Sequence, residues 1–177
     1  WLAAGILGLP LLAFIVLLFF GKRFPRGADF LAIGALGTAF VLSVILFALN
    51  ARYGSSLNSG WASAQAHPFV TSFTWMDWGG VKLSMGFLVD NLSASFCMIV
   101  TGLATLVLIY SIFYMHGDAL YQRYFGYMCF FCFAMLGIVL SNNLLMTYVF
   151  WELVGLGSYF LIGFWFHKPA VAFAPHY

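Results

Sequence analysis

The chain has 177 residues, of which 64% are apolar or aromatic and only 7% are charged. A soluble domain carries roughly 25% charged residues, so this chain could not cover a water-facing surface. A soluble enzyme, a nucleic-acid binder and a disordered linker are set aside on that ground, and a net charge of +2 does not imply an acidic partner. What remains is an integral membrane protein.

The finer composition agrees. The 21 Phe, 9 Tyr and 6 Trp suit helix packing in lipid and anchoring at its interfaces. Cys97, Cys129 and Cys132 all lie in apolar runs, so no disulfide framework is expected. The chain begins at Trp1 rather than Met, and a preceding segment is expected. The first apolar run has no basic stretch before it, which argues against a cleaved signal peptide.

Crossing the hydrocarbon takes about 20 apolar residues as a helix. Five stretches qualify, over residues 2–20, 30–49, 92–115, 124–140 and 144–166. The expected fold is all-α, a polytopic bundle of about five transmembrane spans forming a single membrane domain. Tyr124 and Tyr127 can sit at the headgroup level beside the short fourth span. Gly21-Lys22-Arg23-Phe24-Pro25-Arg26-Gly27 is a turn between the first two.

Residues 50–90 form the one long polar segment, an extramembrane loop. Within it Phe73–Trp78, then Gly79-Gly80, then Val81–Met85 predict a small hairpin with a two-residue turn. Asp90 and Asn91 open the third span and are expected to cap it. Ser141-Asn142-Asn143 is a tight turn before the fifth span.

Basic residues in short loops mark the inner side of a membrane protein. Five spans place Lys22, Arg23, Arg26, Arg123 and Lys168 on one side, and Arg52 and Lys82 on the other. The expected orientation has the N-terminus and the hairpin loop outside.

Glu152 is the most informative residue. It lies eight residues into the fifth span, roughly 12 Å from its start. An ionisable group at that depth costs about 2.5–3.5 kcal/mol or more and ordinarily faces a partner or a water-filled cavity. The bland alternative is a protonated Glu held in a helix seam. Tyr148, Gly155 and Tyr159 share its face by helical spacing. Gly155, Gly157, Ser158 and Gly163 allow close approach by a helix or water. Proton transfer at Glu152 is the expected chemistry, with Tyr148, Ser158 and Tyr159 as polar support. No Lys or Arg lies within the apolar spans, so its cationic partner is expected on a segment beyond this sequence.

His116, Asp118 and Arg123 cluster in sequence between the third and fourth spans. They read either as a proton uptake point or as an ordinary solvated loop. Cys129-Phe130-Phe131-Cys132 has the C-x-x-C spacing but no second Cys pair, so packing is expected rather than a zinc or iron–sulfur site. His67, His167 and His176 lie outside the spans and are assigned no chemistry. No Gly-rich phosphate motif follows a strand.

Several blocks carry a family resemblance. Val89-Asp90-Asn91-Leu92-Ser93-Ala94 leads into a span that ends Tyr110-Ser111-Ile112-Phe113-Tyr114-Met115-His116-Gly117-Asp118. Arg123-Tyr124-Phe125-Gly126-Tyr127 follows, then Trp151-Glu152-Leu153-Val154-Gly155-Leu156-Gly157-Ser158-Tyr159. This order resembles the largest antiporter-like membrane subunit of respiratory complex I, the chain L or subunit 5 family of NADH–quinone oxidoreductase, from about Trp75 to Phe166. The chain looks like the N-terminal third of such a subunit.

The resemblance implies that Glu152 matches the family's buried glutamate, which works with a lysine on a later helix in proton translocation. It implies no cofactor on this chain, with NADH, FMN, iron–sulfur clusters and quinone on partner subunits. It implies other membrane-arm subunits and the lipid bilayer as partners, with no nucleic acid. The implied location is an energy-coupling membrane, the bacterial inner membrane or alternatively the mitochondrial one. A related cation/proton antiporter, a membrane hydrogenase and an inorganic-carbon uptake complex share the glutamate and stay open. A membrane anchor in which Glu152 is incidental is the reading from another class.

Overall fold

Long runs that are apolar on every side form helices, because a backbone in hydrocarbon has to satisfy its own N–H and C=O groups. Five such helices stand in the computed structural model, which describes residues 2–20, 27–54, 71–78, 81–115 and 120–165. They are α1 (Leu2–Phe20), α2 (Ala28–Gly54), α3 (Asn91–Tyr114), α4 (Tyr121–Leu140) and α5 (Leu144–Ile162), the last followed by a 3₁₀ turn, Gly163–Trp165. All five are long and apolar enough to cross a membrane.

The helix ends have local causes. Asp90 caps α3, accepting from the Ser93 amide at 2.6 Å. Asn143 caps α5, accepting from the Met146 amide at 2.8 Å. Each carboxylate or amide oxygen satisfies an amide left without a partner in the first turn. At its other end α2 runs past the apolar stretch to Gly54, and its last turn carries Arg52, a cation that complements the helix dipole.

Two strands, β1 (Thr71–Trp78) and β2 (Val81–Phe87), pair antiparallel, from Thr71 opposite Phe87 to Trp78 opposite Val81. A bulge interrupts the register between Thr74 and Met76. The hairpin read from the sequence is therefore present, and its strands are two residues longer at the open end. Its turn at Gly79-Gly80 lies outside the described residues. The return strand ends against the α4–α5 turn: Phe87 bridges Ser141, and the Leu88 amide donates to the Leu140 carbonyl at 3.0 Å.

α4 is the centre of the bundle. It packs against α1, α5, α3 and α2, while α2 lies between α1 and α3. Phe125, Cys129 and Cys132 of α4 meet Ala13 and Leu17 of α1, Ala32 and Leu36 of α2, and Ala104 and Leu108 of α3. Leu136 and Leu140 meet Ile6, Leu7, Leu46, Val89 and Cys97 in the other half. The three thiols are free and buried.

α5 is held differently. It packs chiefly on α4, and only Met146 and Gly157 of its residues are buried. Tyr148, Trp151, Leu156, Tyr159 and Ile162 are exposed large side chains along its other face.

Candidate functional site

The contact between α4 and α5 decides where Glu152 points. Phe150 lies over Gly137 of α4, and Gly157 lies under Phe131 and Phe130. The Phe133 and Phe150 rings meet edge-on at 5.5 Å, and Tyr127 stacks on Phe160 at 5.1 Å. Phe150, Gly157 and Phe160 thus mark the face that α5 turns to α4. Glu152 is two residues past Phe150, about 200° around a helix of 3.6 residues per turn. It is exposed, on the opposite face.

Glu152 is the ninth of the 19 residues of α5, so it stands at the helix midpoint. Its interacting neighbour is Tyr148, one turn away on the same face, whose hydroxyl lies within electrostatic reach of the carboxylate. Gly155 and Tyr159 lie on the same face, and a side chain built at Gly155 would meet nothing within 4 Å.

The other sequence candidates separate. Ser158 is turned about 120° from Glu152, and its hydroxyl donates to the Val154 carbonyl of its own helix at 2.9 Å. Gly157 serves the α4 contact rather than the Glu152 face. Arg123 stands in the first turn of α4, exposed. It lines a cavity of about 520 Å³ with Phe14, Leu17, Gln122, Gly126 and Tyr127. A second cavity of about 250 Å³ adjoins it and brings Arg123, Tyr127 and Tyr159 to one wall. Arg123 and Tyr159, distant in sequence, are brought together there. His116 and Asp118 lie outside the described residues.

Three interhelical polar contacts, one buried and two partly buried, were not read from the sequence. Asp29, 9% exposed, accepts from the Tyr121 hydroxyl at 3.3 Å and from the Phe30 amide at 2.9 Å. Ser111 of α3 and Tyr124 of α4 lie 3.1 Å apart, and Ser43 of α2 and Thr101 of α3 lie 3.4 Å apart. The acid at the start of an apolar run was a usable signal for Asp29. For the other two pairs a single sequence holds none, because it does not say which helix faces which. Among the described residues no three His, Cys, Asp or Glu side chains converge as metal ligands.

A bundle of membrane-length helices, with one carboxylate at the midpoint of its least covered helix, is the architecture of a polytopic membrane protein. Comparison with known proteins makes the family specific. Residues 75–125 match the family described as NADH-ubiquinone oxidoreductase (complex I), chain 5 N-terminus. Residues 141–175 match the NADH:quinone oxidoreductase/Mrp antiporter transmembrane family. The chain is 37% identical to NADH-quinone oxidoreductase subunit L of Mycobacterium tuberculosis over 96% of its own length and 25% of that protein. It is 43% identical to NAD(P)H-quinone oxidoreductase chain 5 of a Picosynechococcus strain, over 77% of this chain and 20% of the relative. The chloroplastic subunit 5 of Mesostigma viride is also 43% identical, over 81% of this chain and 20% of the relative.

The chain belongs to the subunit L/chain 5 family of NADH–quinone oxidoreductase. It spans about a quarter or less of the length of these relatives. Among solved structures, the membrane-bound sulfane sulfur reductase, an archaeal respiratory membrane complex, superposes with a TM-score of 0.69. That match covers 89% of this chain and 29% of the other at 11% identity, and so speaks to fold alone.

Proposed function

We propose that this chain is part of a proton-translocating, antiporter-like subunit of NADH–quinone oxidoreductase, and that Glu152 is its proton-carrying group. The observation that carries the reading is the Glu152 carboxylate at the midpoint of a membrane-length helix, on the face away from α4, with the Tyr148 hydroxyl beside it. A carboxylate left facing lipid at that depth is costly. The exposed face of α5 is therefore where further polypeptide of the subunit packs, and a lysine from that polypeptide supplies the cation.

The chemistry follows from charge. A lysine beside Glu152 stabilises the ionised carboxylate. When the lysine withdraws, the carboxylate takes up a proton, so the two groups titrate as a coupled pair. Motion of the lysine in step with quinone reduction then converts redox free energy into proton transfer. The Tyr148 hydroxyl, one turn away on the same face, supports the carboxylate during this exchange. Tyr159 and Arg123, which share the second cavity, lie where a proton passes between the inner surface and α5. The flavin, the iron–sulfur clusters and the NADH and quinone sites belong to partner subunits. The assembly sits in a bacterial inner membrane with the N-terminus and the hairpin outside.

Glu152→Gln keeps the shape of the side chain and removes its titration. The full complex carrying it, reconstituted in vesicles, is expected to assemble and to lose most proton uptake measured beside electron transfer. Wild-type uptake by the assembled variant refutes the role.

A second reading has one observation in its favour. The family description over residues 141–175, the segment holding Glu152, names the Mrp antiporter alongside the oxidoreductase. Co-purifying chains separate the two, since NADH-oxidising subunits belong to the first assembly and a small antiporter set to the second.

A further inference from the structure

We infer that Gly137 and Phe150 are positioning residues: with the Gly157 contact they fix the rotation of α5 about its axis, and so the direction in which Glu152 is presented. The inference rests on the proposed role of Glu152 and extends it to two residues at the α4–α5 contact, on the side of α5 away from the carboxylate.

The geometry is reciprocal. Phe150 of α5 enters a notch at Gly137 of α4, where a β-carbon would overlap the ring. Phe131 of α4 in turn lies over Gly157 of α5, where a β-carbon would meet the Phe131 ring at 3.3 Å, the Phe131 Cα at 3.4 Å and the Phe130 ring at 3.5 Å. The two notches are seven residues apart on α5 and six apart on α4, about two turns on each helix. Two knobs set into two holes on one strip prevent both rolling and sliding, because interior packing leaves no room for either.

This constraint matters because α5 packs chiefly on α4, so the angle of α5 is set there. Glu152 stands on the far side of the same helix. A roll of about 20° carries a group at the helix periphery, roughly 5–6 Å from the axis, by about 2 Å. A displacement of about 1 Å at a reacting group can change a rate by about 100-fold. A glycine on α4 thereby acts on a carboxylate on the opposite face of α5. Gly137→Ala fills the notch and pushes Phe150 out. Adding Phe150→Ala restores the space.

The test uses the full complex in three forms: Gly137→Ala, Phe150→Leu, and Gly137→Ala with Phe150→Ala. Two quantities are read: protons taken up per electron transferred, and the isotope-edited infrared signature of the Glu152 carboxyl, assigned by its loss in Glu152→Gln. Gly137→Ala is expected to shift the signature and lower the proton-to-electron ratio several-fold while quinone reduction persists, and the double variant to recover most of both. An assembled Gly137→Ala complex with wild-type signature and ratio overturns the inference. If Gly137→Ala does not assemble, Phe150→Leu decides, since it empties the notch without adding an atom to α4, and an unchanged signature there is equally fatal. The two ideas fail separately. Normal pumping by Glu152→Gln removes the proposed function yet leaves the signature shift readable. Loss of pumping in Glu152→Gln with an unmoved signature in Gly137→Ala removes only the positioning role.

Discussion

The Tyr121 hydroxyl, on the first turn of α4, donates to Oδ2 of Asp29 on the first turn of α2 across 3.3 Å. The other carboxylate oxygen accepts from the Phe30 amide at 2.9 Å. One buried acid therefore ties two helix N-termini together, where the positive ends of the helix dipoles favour it. Tyr121→Phe leaves Oδ2 without its donor. The expected cost is about 1–3 kcal/mol, that of a buried acceptor left unsatisfied. A lower midpoint for thermal inactivation of the complex checks it, and an unchanged midpoint contradicts the assignment.

The two hydroxyl pairs against α3 are expected to differ in strength. Ser111 gives its own proton to the Val107 carbonyl at 2.7 Å, so the Tyr124 hydroxyl 3.1 Å away is the donor between the helices. Ser43 and Thr101 instead each donate within their own helix, to Ala39 at 2.8 Å and Cys97 at 2.6 Å, and meet only at 3.4 Å. Interhelical hydrogen bonds in membranes average about 0.6 kcal/mol. Tyr124→Phe should reach or exceed that loss, and Thr101→Val should fall below it. Denaturant titration of the two variants in detergent would show the order, and the reverse order would contradict the donor assignment.

Tyr148 is expected to assist Glu152 without replacing it. Tyr148→Phe removes the hydroxyl that engages the carboxylate and leaves the ring. Proton uptake should fall roughly two- to tenfold, the range of one typical net hydrogen bond of about 0.5–1.5 kcal/mol, while Glu152→Gln loses most of it. Vesicle proton uptake at matched electron-transfer rates measures both. Equal losses in the two variants would make the tyrosine a proton carrier itself.

Membrane orientation has its own test. On the proposed orientation, drawn from the charge asymmetry of the loops, Arg26 is expected inside and Ser56 outside. Arg26→Cys should resist an impermeant thiol reagent added to intact cells, and Ser56→Cys should react. Reaction of Arg26→Cys from outside reverses the orientation.

Much of this was legible in the order of residues. Uniform apolarity over about 20 residues specifies a membrane helix without reference to any neighbour. The Asp90 and Asn143 caps are local, and so is the alternation that forms the β1–β2 hairpin. Glu152 stood out for the same reason, since the cost of a charge at membrane depth depends on its position in the chain. Ser158 was placed beside it from small-residue content alone, and the structure shows its hydroxyl bound to Val154 instead.

Among the described residues, the sequence by itself determined that there are five membrane-length helices, where the caps of α3 and α5 fall, and which helix carries the midpoint carboxylate, because hydrophobic length and capping act over a few residues. Tertiary structure alone decided that α4 is the central helix, that Asp29 meets Tyr121, and that Phe150 seats on Gly137 so that Glu152 faces away from α4. A helix that is apolar all round has no preferred side. In a membrane the faces are chosen by small residues and ring shapes fitting across an interface, and that fit is a property of two segments together, which neither contains alone.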